Sequence, residues 1–127
     1  MPTTAVSVIL PVFNEADNLE PLTQDIVAAL EETGRTYEII FVDDGSADQS
    51  LNVLTALQKA HPSVVVIEFR RNFGQTAALA AGLRAANGEI IVTMDADRQN
   101  DPRDIPMLVQ EIDRGMDLVC GWRHDRK

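Results

Sequence analysis

One cysteine, Cys120, stands alone in 127 residues, so no intramolecular disulfide can form. Cys120 lies in the apolar run Leu118–Cys120 and reads as a buried structural thiol rather than a nucleophile. Long hydrophobic runs are also missing. No stretch approaches the roughly 18 apolar residues of a membrane span. Met1–Thr4 lacks a basic start, and Val6–Val12 is too short for a secretory leader. The chain is therefore expected to be soluble and cytoplasmic. Basic charge is scarce: 11 Lys and Arg face 20 Asp and Glu, a formal net charge of −9. That excludes a general nucleic-acid binder, which needs a basic stripe, but not a single phosphorylated ligand held through a divalent cation. The two histidines, His61 before Pro62 and His124 in the basic tail, have no second ligand at metal spacing. Glycine is absent from PVFNEAD, which follows the first apolar run, and this excludes a phosphate loop of the P-loop or Rossmann kind there.

What is present is a recurring pair: a short apolar run, then a longer periodic one. Ala5–Val12, Tyr37–Val42, Val64–Phe69, Glu89–Met94 and Asp117–Gly121 are short and β-branched, and read as strands. Their continuous hydrophobicity suits a parallel sheet covered on both faces. Leu19, Leu22, Ile26 and Leu30 mark one helix face; Leu51, Leu54 and Leu57 mark a second. Ile105, Leu108, Val109 and Ile112 mark another, and the alanine-rich Gln75–Ala86 is expected to pack closely on the sheet. The pattern βαβαβαβαβ predicts one α/β domain over residues 1–127, an open three-layer α/β/α sandwich with a mostly parallel sheet. In such sheets ligands bind outside the carboxyl ends of the strands. The residues to question are thus Asn14, Glu15, Asp43, Asp44, Asn72 and Asp95 to Asp97.

Helix capping explains some of them. Asn14 with Asp17, Ser46 with Gln49, Asn72 with Gln75, and Asp101 with Asp104 all have cap-to-N3 spacing, and Pro102 suits a first helical position. Ser46 and Asp101 are read mainly as caps. Capping leaves Asp43, Asp44, Asp95 and Asp97 unexplained. Asp43 and Asp44 leave the second strand together ahead of Gly45, where a carboxylate can receive ribose or base donors. Asp95 and Asp97, two apart in an extended segment, can approach one hard cation, Mg2+ or Mn2+, bridging to phosphate; Gln99 offers a further oxygen.

Five motifs in order, VSVILPVFNEADNL, EIIFVDDGSADQS, FRRNFGQTAALAAGL, GEIIVTMDADRQNDP and DLVCGWRHDRK, together resemble the family 2 glycosyltransferases of GT-A fold. The resemblance is nearest to the polyprenyl-phosphate glycosyltransferases, the group that includes dolichyl-phosphate mannose synthase. It implies an inverting transfer from a UDP- or GDP-sugar to a polyprenyl phosphate, assisted by Mg2+ or Mn2+. It places Pro11, Asn14, Glu15 and Asp43, with Asp44 close by, around the nucleoside, and Asn72 and Ala96 beside the nucleotide sugar. Asp95 and Asp97 match the D-x-D metal motif, Gln99 its assisting glutamine, and Arg123 a phosphate-facing basic residue that Arg126 can join. Arg98 stands where that branch commonly has leucine, which leaves the metal ligands intact. No catalytic base is assigned; Asp101 is the one candidate.

The family's members carry further elements on the acceptor side, so the chain is expected to be the nucleotide-binding part, weak or inactive in transfer alone. The parent would act at the cytoplasmic face of a membrane, and an unfinished sheet edge would favour self-association. Transfer to a glycan hydroxyl, a sugar-phosphate nucleotidyltransferase and a non-catalytic binding module remain the alternatives.

Overall fold

The computed structural model describes residues 4–97 and 101–113. Its elements follow the expected alternation: β1 (Val6–Val12), α1 (Ala16–Thr33), β2 (Tyr37–Asp43), α2 (Ser50–Ala60), β3 (Val64–Glu68), α3 (Gln75–Ala85) and β4 (Ile90–Thr93). A 3-10 turn at Pro102–Asp104 then leads into α4 (Ile105–Asp113). The fifth strand expected over Asp117–Gly121 lies outside the described residues, as does Cys120.

All pairings are parallel, in the order β3-β2-β1-β4. The chain steps outward from β1 to β3, then returns past β1 to add β4. With right-handed crossovers, reversing direction puts the connecting helix on the opposite face. This is what divides the core. On one face Val8, Leu10, Ile39 and Phe41 pack with Leu19, Leu22, Ile26 and Leu30 of α1, Leu54 and Leu57 of α2, and Ile105 and Val109 of α4. On the other, Ile9, Ile40 and Val42 meet α3 through Ala78. Both faces of the central strands β1 and β2 are buried, which is why their sequences read as continuous rather than alternating. The α2 stripe is shifted from the expected one: Leu51 is half-buried, and Val53 joins the core beside Leu54 and Leu57.

The alanine-rich composition of α3 has a geometric reason. A Cβ at Gly82 would lie inside contact distance of Ile9 Cγ2, so the helix lies flat against β1. Behind it, a buried polar clamp sets the register of β4. Glu38 accepts hydrogen bonds from Ser7 Oγ at 2.6 Å and from the Asn87 N–H at 2.7 Å, while the Gly88 N–H donates to Ser7 Oγ at 2.8 Å. A carboxylate this buried is tolerated because each contact satisfies it. The clamp joins β1, β2 and the α3–β4 turn, and so fixes where the residues after β4 emerge.

Candidate active site

The strand order reverses between β1 and β4, and an open cleft of about 170 Å³ sits outside their carboxyl ends. Pro11, Phe13, Glu15, Gln75, Asp95, Ala96 and Asp97 line it. Ala96 is held in the core, with Met94 and Ile105, at 3% exposure. Beyond β4 the chain turns at Ala96 and Asp97, and there Asp95 is half-buried while Asp97 is exposed. The Gln75 amide donates from Nε2 to Asp95 Oδ1 at 3.1 Å. Sequence reasoning took Gln75 only as a capping partner for Asn72. The missed signal was its place at the first turn of a helix that opens on the same crevice as the strand ends.

Glu15 is fixed by the Asn18 amide, which donates to its Oε1 at 2.8 Å. Among the described residues no group of three His, Cys, Asp or Glu side chains converges as a metal cage. Two carboxylates suit instead a hard cation that completes its shell with ligand oxygens and water.

The adjacent aspartates at the end of β2 are both buried but differ in company. Asp44 accepts from the Phe73 N–H at 2.7 Å, the Gly74 N–H at 3.1 Å and the Asn72 amide at 3.1 Å. It thus ties down the loop before α3, a structural use that the sequence did not reveal. Asp43, 2% exposed, has an Oδ1 with no hydrogen-bond partner. A buried carboxylate oxygen without a donor is destabilising unless a ligand supplies one.

Three of the expected caps serve other loops. The helices α1, α2 and α3 are preceded by Glu15, Gln49 and Gly74, and none of these makes a side-chain cap bond. Asn14, at φ 55°, accepts through Oδ1 from the Ala47 and Asp48 N–H groups, and its own N–H donates to Ser46 Oγ. In return Ser50 Oγ and Asp48 Oδ2 accept from the Glu15 and Ala16 N–H groups at the start of α1. The loops after β1 and β2 therefore cap each other. Hydrogen bonding, first from Ser50, holds the Asp48 carboxyl below the usual carboxylate range. Its folded-state value being depressed, this support is present above the unfolded value and is lost as pH falls through the folded one. Asn72 acts as a donor to Asp44 rather than as a cap.

Asp101 is the expected cap that holds: it accepts from the Arg103 N–H at 2.9 Å and pairs with the Arg103 guanidinium at 2.7 Å. Its carboxylate is thus engaged at the start of the 3-10 turn. Arg98, Gln99, Arg123, Arg126 and His124 lie outside the described residues. Among the described residues no helix is long and apolar enough to cross a membrane.

Comparison with known proteins converges on one group. The chain is 44% identical over 124 residues to a dodecaprenyl-phosphate galacturonate synthase of Rhizobium johnstonii, covering 96% of this chain and 37% of that protein. It is 44% identical over 123 residues to an undecaprenyl-phosphate 4-deoxy-4-formamido-L-arabinose transferase of Edwardsiella ictaluri, covering 96% and 38%. The chain therefore spans a little over a third of the length of these curated relatives. Among solved structures it superimposes on the mannosyltransferase PcManGT of Pyrobaculum calidifontis, determined in complex with GDP-Man and Mn2+. That match has a TM-score of 0.67 and 29% identity, over 87% of this chain and 34% of that one. S. aureus TarS, at 22% identity and a TM-score of 0.67, shares the fold over 87% of this chain and 33% of its own. The model for glycosyl transferase family 2 matches residues 7–127, and with a parallel α/β sheet that carries its acidic motif at the β1/β4 crevice, the chain belongs to that family.

Proposed function

We propose that the chain is the donor-binding part of an inverting glycosyltransferase that passes a sugar from a UDP- or GDP-sugar to a polyprenyl phosphate. The observation that carries this reading is the placement of Asp95 and Asp97 outside β4, in a cleft with Pro11, Phe13 and Glu15 at the reversal of strand order. The polyprenyl-phosphate relatives and the GDP-Man and Mn2+ complex of the structural neighbour support the acceptor and donor classes.

In this reading Asp95 and Asp97, with Gln99, hold a divalent cation. When bound, the cation offsets the negative charge that grows on the departing nucleoside diphosphate. Pro11 and Phe13 form a wall against which the nucleoside lies. Asp43 accepts a base or ribose hydrogen bond, which gives its buried Oδ1 the donor that it lacks. Asn14, Asp44 and Asn72 hold the surrounding loops in place through the bonds described above. The family resemblance assigns Arg123 to the phosphates. A lipid phosphate is already an anionic nucleophile, so no residue has to remove its proton. This fits an Asp101 that is engaged as a cap and ion pair. Such an acceptor is a membrane lipid, and a nucleotide-sugar donor from the cytoplasm fits action at the cytoplasmic face of that membrane.

Calorimetry with UDP, GDP and their sugars, with and without Mn2+, tests the proposal and identifies the base. Binding that Mn2+ strengthens, and that Asp97→Ala reduces to its cation-free value, is the expected result. No nucleotide binding, or binding indifferent to Asp97→Ala, would overturn it.

Asp43→Asn separates stability from binding. Removing a buried charge with an unpartnered oxygen is expected to raise the melting midpoint by about 3–5 °C. Nucleotide affinity should fall about tenfold, because a charged acceptor becomes a neutral one. A midpoint that drops would show that the carboxylate stabilises the free fold.

A further inference from the structure

The Gln75–Asp95 contact bridges two parts of the crevice that the sequence keeps 20 residues apart. β4 ends at Thr93, and the Met94 N–H makes a last bond to the Ile9 carbonyl before the chain turns at Ala96 and Asp97. The Asp95 carboxylate thus stands between the strand end and a turn, where the Gln75 amide reaches it. Gln75, by contrast, stands on a fixed base. Asp44 holds the Phe73 and Gly74 N–H groups, and Gly74, at φ 102°, turns the chain into α3. The Ala78 N–H closes the first turn on the Gly74 carbonyl, and Ala78 and Gly82 seat the helix against the sheet. A donor anchored in this way meets one oxygen of a half-buried carboxylate in the cleft.

We propose that Gln75 is a positioning residue for the divalent cation and diphosphate, acting by holding the Asp95 carboxylate in its binding orientation. The inference rests on the reading of Asp95 and Asp97 as cation ligands. Residues that orient a ligand through its second oxygen commonly change cation affinity by about tenfold or more when removed. Because Asp44 fixes the loop that carries Gln75, this buried aspartate just after β2 supports the motif after β4 through a chain of direct contacts.

The test uses Gln75→Met, which keeps the length and shape of the side chain and removes the donor. Gln75 is exposed, so the substitution leaves the core untouched. Titration with UDP and GDP in buffer with chelator, and again with Mn2+, is read beside the melting midpoint and the water-proton relaxation of bound Mn2+. About a tenfold loss of the Mn2+-dependent affinity is expected, with an unchanged cation-free affinity and midpoint. Affinity equal to that of the unsubstituted chain in both buffers would overturn the positioning role. An equal loss in both buffers, or a lowered midpoint, would make Gln75 a structural residue and overturn it too. If the unsubstituted chain shows no Mn2+-dependent binding, the cation reading itself fails and takes the inference with it.

Discussion

Asp44→Ala is expected to lower the stability of the chain by about 2–4 kcal/mol, among the larger effects a single change can have here. The carboxylate is 4% exposed and receives three hydrogen bonds from Asn72, Phe73 and Gly74. Removing it takes a charged acceptor from three donors on a partly exposed loop, where water replaces it in part, and a hydrogen bond to a charged group is worth about 1.5–3 kcal/mol. The loss should exceed that of Asp44→Asn, which keeps an acceptor oxygen. Denaturant unfolding of the two variants checks the order. The second readout is local: the loop before α3 should lose hydrogen-exchange protection first, and Mn2+-dependent binding should weaken with it. A stability loss without any change at residues 72–75 would show that Asp44 acts elsewhere.

Gly45→Ala is the companion prediction, with an expected loss of about 3 kcal/mol or more. Gly45 sits at φ 72°, where a Cβ is strained by about 1–2 kcal/mol. That Cβ would also lie 2.7 Å from Arg71 Cα, and closer still to Arg71 C and Asn72 N. These are backbone atoms, so no rotamer change relieves the overlap, and the loop pinned by Asp44 has to move. Overpacking of this kind adds about 1–3 kcal/mol. Chevron or equilibrium unfolding measures the total. A variant with unchanged stability would mean that the loops after β2 and β3 do not meet as closely as described.

The two predictions share a cause that is instructive about the sequence. Sequence reasoning treated Asn14, Ser46 and Asn72 as caps of the helices that follow them, because cap-to-N3 spacing is a local signal. In the fold their partners come from neighbouring loops: Asn14 binds the Ala47 and Asp48 N–H groups, and Asn72 binds Asp44. Parallel strands bring all their carboxyl ends to one edge, so the loops there have closer partners across space than along the chain. The same crowding occupies Asp44, which composition and spacing had left unexplained. Asp101 followed the local rule because the segment after it turns directly into Pro102–Asp104 and presents the Arg103 N–H to its carboxylate.

Strand and helix identities were legible because hydrophobic period depends only on which faces each element buries. The bounds of β1 to β4 fall within a residue or so of the apolar runs, and the α1 stripe Leu19, Leu22, Ile26 and Leu30 is fully buried. The family was legible too, since five short motifs in order need no coordinates. The pair Asp95 and Asp97 was legible as an acidic motif after an apolar run, but the extended geometry expected for it gives way to a turn at Ala96 and Asp97, because β4 stops pairing at Thr93. What only the tertiary structure decided is which groups meet. Strand order put β4 beside β1 and so brought Asp95 into one cleft with Pro11, Phe13 and Gln75. It also set two adjacent aspartates apart, Asp44 bound to a loop and Asp43 buried with an oxygen that receives no donor. Pattern along a chain reports what each element must bury, whereas contacts between strand-end loops depend on distances through space that no spacing in the sequence encodes.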